Sequence, residues 1–185
     1  MSIKLNEVAI LQRGSVITKE QTKEGNIPVI AGGKEPSYYH NKANREKNII
    51  TVSGSGAYAG YVNYWGCPIY CSDCFSIKSK DEEKYVTKFL YYYLKSKQEY
   101  VYSKKKGAGI PHVKIDSVKD MLIPNVSLED QQAILDKIDM INKCIENRKM
   151  QIKDFDMYIQ SLYKEMFDSI FNNKFNYKKD KLGNV

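Results

Sequence analysis

"SLEDQQAILDKIDMINKCIENRKMQIKDFDMYIQSLYKEMF" (residues 127–167) contains neither Gly nor Pro, and the gap in both continues to Phe171. Pro124 stands just upstream, Ser127 is a capping residue, and Asp130 occupies the third helical position beside Glu129. Together they mark a helix start with acidic side chains on the favourable end of the dipole. The apolar positions are Ile134, Ile138, Ile141, Ile145, Ile152, Phe155, Ile159, Leu162 and Met166, with Arg148 in the one polar slot. Their steps alternate four and three, which is the a/d seam of a coiled coil. A helix over residues 127–171 is about 65 Å long at 1.5 Å per residue. A domain of the size that precedes it is only about 30 Å across. The seam therefore calls for a partner helix, from a second copy or from another protein. Arg148 either sets register or extends to the interface edge.

Working back from Pro124, the texture changes. Residues 1–126 are punctuated by Gly and Pro and built from short apolar runs. "IPVIAGG" (27–33), "NIITVSG" (48–54), "GYVNYW" (60–65) and "CFSIKS" (74–79) read as strands bounded by turn residues. "EEKYVTKFLYYYLKSKQEYV" (82–101) reads as one amphipathic helix, since Val86, Phe89, Leu90, Tyr93 and Leu94 recur at helical steps. The expected fold class is α+β: a compact mixed domain over 1–126, one long coiled-coil-forming helix over 127–171, and a linker remnant over 172–185.

The formal charge of +7 is unevenly spread. Residues 1–126 hold 19 Lys/Arg and 12 Asp/Glu, hence +7; residues 127–171 hold 6 and 9, hence −3; residues 172–185 hold 4 and 1, hence +3. A basic globular part suits a polyanion, nucleic acid first, although a positive surface also serves solubility alone. No run of about 18 apolar residues suggests a membrane span, and the N-terminus has no signal-peptide pattern, so a cytoplasmic protein is expected. Cys67, Cys71 and Cys74 crowd together, with Cys144 apart. Neither His40 nor His112 stands at a zinc-ligand offset from them, so reduced, mostly buried thiols are expected and no metal.

Catalytic patterns are missing. "SGSGAYAG" (53–60) is not followed by Lys-Ser/Thr as a phosphate-binding loop would be, and a tight connection between strands fits it better. Glu82-Glu83-Lys84 resembles the end of a nuclease motif but reads as a solvated turn before the helix. No adenine-methyltransferase tetrad is present. Three stretches instead combine positive charge with groups able to contact DNA. The first holds Lys34, Tyr38, His40, Asn44, Arg45 and Lys47; the second holds Ser53, Ser55 and Tyr58; the third holds Lys104, Lys105, Lys106 and His112. Asn bonds adenine, Arg bonds guanine and Lys neutralises phosphate. Any one stretch could be an ordinary polar loop; three in one domain favour double-stranded DNA.

"GAGIPHVKIDSVKDMLIPNVSLEDQQAILDKI" (107–138) resembles the specificity subunits of type I restriction–modification systems. The matching residues are Gly109, Ile110, Pro111 and His112, then Ile123 and Pro124, then Leu128, Gln131, Gln132 and Ile134. "KLNEVAILQRG" (4–14) is similar to the opening of a target-recognition domain in that family. Asn125 departs from the pattern, which often has a second proline there. The resemblance implies a non-catalytic subunit that reads one half of a split site, with its long helix as spacer. It also implies partners: modification subunits, which use S-adenosylmethionine, and possibly a restriction subunit. No cofactor is expected in this chain itself. Family members carry two recognition domains and two helices; one of each here implies an antiparallel homodimer through the seam. "KLGNV" (181–185) echoes "KLNEV" (4–8) and suggests the opening of a second such domain. The alternative is a coiled-coil adaptor or decoy that binds modification subunits without reading DNA.

Overall fold

A computed structural model describes residues 2–171, with side chains through residue 168. In chain order its elements are β1 (Ser2–Lys4), α1 (Leu5–Val8), β2 (Ala9–Arg13), β3 (Ile27–Ile30), β4 (Tyr38–His40), β5 (Ile49–Ser53) and β6 (Val62–Trp65). They continue with β7 (Tyr70–Cys71), β8 (Cys74–Ser79), α2 (Thr87–Ser96), α3 (Gln98–Tyr102), β9 (Leu122–Pro124) and α4 (Leu128–Phe171). The mixed α+β architecture with one long helix is the fold class expected. The linker expected over 172–185 lies outside the described residues.

Each run read as a strand contains one. β5 is buried at all five positions and is central in an antiparallel sheet of order β2-β8-β5-β6. Such continuous burial, in "IITVS", is what a β-branched run suits. The polar Thr51 inside it is satisfied by the Trp65 indole N–H at 2.8 Å. α2 packs its Phe89, Leu90 and Leu94 against Ile50, Val52, Val62 and Ile77 of this sheet. Leu90 and Leu94 are at most 1% exposed, so truncating either to Ala costs about 2–5 kcal/mol. A second sheet, β4-β3-β7, is antiparallel on one side of β3 and parallel on the other. A smaller cluster of Ile30, Ile49, Ile69, Cys71 and Cys74 packs there.

The helix expected over 82–101 is shorter at its start and divided. Residues 81–86 form a turn, and Glu82 accepts from both the backbone N–H and the hydroxyl of Thr87 at 2.9 and 2.5 Å. At the other end, Lys97 (φ −102°, ψ 24°) separates α2 from α3. The reason lies in Gln98. Its side chain accepts from Val62 N–H at 3.0 Å and donates to the Gly60 carbonyl at 2.8 Å. Binding the 60–62 backbone with one amide takes precedence over helix continuity.

β1 and β9 form a third, two-stranded sheet with Ser2 opposite Pro124, Ile3 opposite Ile123 and Lys4 opposite Leu122. α4 starts where expected: Ser127 Oγ accepts from Asp130 N–H at 3.1 Å and donates to its carboxylate at 2.7 Å. Asn125, the departure from the family pattern, accepts the Tyr85 hydroxyl at 3.0 Å. Gln131, with no exposed surface, accepts from Val86 N–H at 2.9 Å and donates to the carbonyls of Lys84 and Val126 at 2.7 and 3.2 Å. Leu135 is buried in the same core. The chain accordingly divides into two compact units, Met1–Leu135 and a second beginning at Asp136.

In the second unit the seam side chains Ile141, Ile145, Ile152, Phe155, Ile159, Leu162 and Met166 are between 39% and 68% exposed. Arg148 donates to Gln151 one turn along at 2.9 Å. Among the described residues no helix is long and apolar enough to cross a membrane.

Candidate nucleic-acid interface

Two of the expected loops are tied together by backbone. The β5–β6 connection closes on itself through Gly60 N–H to Ser53 O at 2.7 Å and Ser53 N–H to Tyr61 O at 3.0 Å. The segment from Lys106 to His112 closes by a reciprocal pair, Lys106 N–H to His112 O at 2.9 Å and His112 N–H to Lys106 O at 2.8 Å. Gly107 permits that closure: its φ is +115°, and a Cβ there would lie 2.5 Å from Ile110 O. The two loops then join through Gly56 N–H to Pro111 O at 3.0 Å and Val113 N–H to Gly54 O at 3.0 Å. Lys105 Nζ reaches the Ala57 carbonyl at 3.3 Å. The start of the first stretch joins them. Ser53 donates to Gly33 O at 3.1 Å, and Lys34 Nζ lies 4.9 Å from the Tyr58 ring centre.

The lysines of this face rest on tyrosine rings. Lys34 also lies 5.4 Å from Tyr61, Lys95 lies 3.8 Å from Tyr61, Lys104 lies 4.3 Å from Tyr100, and Lys105 lies 4.2 Å from Tyr102. A ring quadrupole positions an ammonium without neutralising it. Among the described residues, none of Lys34, Lys95, Lys104, Lys105 or Lys106 forms an ion pair with a carboxylate. Lys95 Nζ also donates to the Val62 carbonyl at 2.9 Å and to Gln98 at 3.4 Å. Burial raises the Tyr102 phenol above its ordinary value, with Tyr61, Glu99 and Tyr58 adding to the effect. The ring under Lys105 thus stays neutral at physiological pH. Tyr58 is exposed and can offer its ring as a stacking surface.

Other expected contact residues are turned inward. The Tyr38 hydroxyl donates to Ile17 O. His40 is buried, its Nδ1 accepting from Lys23 N–H at 3.0 Å and its ring edge-on to Tyr70 at 5.6 Å. Asn44 accepts from Cys71 N–H at 2.7 Å and donates to Cys71 O at 3.0 Å, filling the place of a strand residue. Arg45 spends three donors on Ser76 Oγ, Asn44 O and Arg13 O at 2.7, 2.6 and 2.7 Å. Ser53 is buried. For Tyr38, His40, Asn44, Arg45 and Ser53 the structure thus assigns framework hydrogen bonds where base or phosphate contacts were expected. Lys47 is exposed but lines a separate depression with Ala43, Asn44, Arg45, Glu46 and Pro68.

Sequence reasoning missed Tyr61, Lys95, Tyr100 and Tyr102. The last two had a local signal, because in "EYVYSKKK" (99–106) Lys104 and Lys105 follow a tyrosine by four and three residues. Lys95 over Tyr61 joins residues distant in sequence and had none. Cysteine usage is mixed: Cys71 and Cys74 are buried, Cys67 and Cys144 exposed, and all four are free thiols. Hydrogen bonding with Cys71, then burial, pushes the Cys74 thiol far up, so it stays protonated. Among the described residues no cluster of His, Cys, Asp or Glu could hold a metal ion.

Known proteins share this sequence and fold. The type I restriction modification DNA specificity domain matches residues 1–154. A Mycoplasma pneumoniae protein named as a type I specificity subunit is 31% identical over 165 residues, covering 83% of this chain and 42% of its own length. A Mycoplasma genitalium protein of like name is 32% identical over 141 residues, covering 74% and 36%. This chain therefore spans about two-fifths of the curated relatives it matches. The crystal structure of a type I restriction–modification S subunit from M. genitalium superimposes with a TM-score of 0.70 at 27% identity, over 80% of this chain and 40% of that one. A chain from a type I system solved for its complex assembly and conformational transition shares the fold with a TM-score of 0.67 at 15% identity, over 92% and 45%. The chain belongs to the family of type I restriction–modification DNA specificity domains.

Proposed function

We propose that this chain reads one half of a bipartite double-stranded DNA site as the non-catalytic specificity element of a type I restriction–modification complex. The observation that carries the reading is the face built from the Gly33–Lys34, Ser53–Tyr61 and Lys104–His112 segments. There, lysines uncompensated by carboxylates sit over tyrosine rings on loops fixed by backbone hydrogen bonds. Such a face supplies phosphate neutralisation and stacking surfaces at defined positions.

The seam from Ile134 to Met166, exposed except at the half-buried Ile138, acts as the spacer, pairing antiparallel with a second copy. Two-fold symmetry then demands a palindromic split site. Modification subunits dock on this assembly and carry out methyl transfer with their own S-adenosylmethionine; a restriction subunit completes the nuclease. These partners make the complex a cytoplasmic one.

Co-expression with a type I modification subunit, followed by genome-wide mapping of N6-methyladenine, tests the proposal. A new split palindromic motif is the expected result. A stable complex without methylation would instead favour a decoy that occupies modification subunits. A chain that is monomeric at micromolar concentration, with α4 helical, would refute the homodimer.

A further inference from the structure

Beside the lysine–tyrosine face lies a cleft of about 270 Å³ lined by Arg13, Gly54, Asp73, His112 and Lys114. Asp73 belongs to the turn between β7 and β8, and that turn is pinned on both flanks. Gly14 N–H donates to Cys74 O at 2.8 Å and Gly54 N–H to Asp73 O at 3.1 Å. The carboxylate is held as well. Its Oδ2 accepts the Ser55 hydroxyl, and a Cβ on Gly54 would come within 3.1 Å of its Oδ1. Gly54 thus leaves room for the carboxylate. Oδ1 accepts no hydrogen bond among the described residues, and Asp73 forms no ion pair there, although Arg13 and Lys114 line the same cleft.

A preorganised carboxylate is out of place on a surface that meets phosphates, since it would repel them. It is in place opposite a hydrogen-bond donor. In the major groove the only base donors are the exocyclic amino groups of cytosine (N4) and adenine (N6). Each lies next to acceptors, on the paired guanine or on the adenine ring itself, which suit Arg13. We infer that Asp73 is a specificity-determining residue, its Oδ1 accepting from the amino group of a cytosine or adenine at one position of the half-site. This rests on the proposed DNA-reading function. Ser55 is a positioning residue that acts through Asp73.

The test is selection by the full chain from duplexes with a randomised core, read by sequencing, for wild type, D73N and S55A. Asn keeps the size of the side chain and an acceptor for Ser55, but replaces the charge with an amide. Wild type is expected to require one base pair in one orientation at that position with about ten- to a hundredfold discrimination, G·C meaning that the cytosine N4 amino group is read and A·T the adenine N6. D73N loses or changes that one preference, keeps the others, and binds random duplex at least as tightly as wild type. S55A keeps the preferred base with severalfold weaker discrimination. If D73N and wild type select the same motif equally well, the role of Asp73 is refuted while DNA reading stands. If wild type selects no motif, both readings fall together.

Discussion

Two parts of the recognition domain both combine tyrosine, histidine and lysine and meet opposite fates. "YYHNKANREK" (38–47) and "YVYSKKKGAGIPH" (100–112) both mix aromatic, basic and polar residues. In the first, His40, Asn44 and Arg45 face the protein and make five hydrogen bonds to backbone. In the second, the side chains of Lys104 and Lys105 lie across rings on the surface, and the backbone satisfies itself. The difference comes from neighbouring geometry. β7 has only two residues and pairs with β3 on one side, so its other edge needs an Asn side chain to complete it. The 106–112 segment closes its own ladder and leaves its side chains free. What separates a loop with free side chains from a buttress is whether the nearby backbone is already satisfied.

Asn44→Ala should break this comparison most visibly. It removes two hydrogen bonds and strands the Cys71 N–H, while the Cys71 carbonyl keeps the Ser15 N–H at 2.9 Å, so a destabilisation of about 2 kcal/mol is expected in urea unfolding. A variant of normal stability with altered sequence preference would return Asn44 to the reading surface. Replacing Lys104, Lys105 and Lys106 together with Ala should leave the unfolding midpoint nearly unchanged. The same change should flatten the dependence of DNA affinity on log salt by up to about 0.9 for each phosphate that is no longer neutralised. An unaltered slope would remove that cluster from the interface. Smallest is Tyr58→Ala, which takes away an exposed ring under Lys34; affinity for DNA of any sequence should fall by about 1 kcal/mol, with fold stability intact. Equal binding would mean that the ring serves only to hold Lys34.

The architecture was largely legible because it depends on patterns written locally. The strands 27–30, 49–53, 62–65 and 74–79 follow from β-branched runs between Gly and Pro, and the start of α4 follows from Ser127 and Asp130. The break at Lys97 was not legible, because it depends on Gln98 reaching a backbone more than thirty residues away in sequence. The site was half legible for the same reason. Lys104 to Lys106 announce themselves by charge, and the 53–60 loop by its glycines. That Asn44 and Arg45 would turn inward depends on an open edge of β7 and on Ser76, and Lys95 over Tyr61 depends on how α2 lies on β6. No single-sequence pattern encodes those meetings.

The pairing of β1 with β9 carries a mechanical consequence. Ser2 lies opposite Pro124, so the two ends of the recognition unit leave the ladder at the same edge. Tension between the N-terminus and α4 would load one residue pair at a time, as in a zip, rather than shear all three together. Behind it stand the Leu5–Met121 and Asn6–Lys119 backbone bonds and the Lys4–Asp120 ion pair at 3.2 Å, and Ile123 of the ladder is itself a core residue. In an optical-tweezers experiment with handles at the N-terminus and at Ser127, ahead of the Gln131 and Leu135 anchors of α4, β1 should peel away before cooperative rupture of the four-stranded sheet.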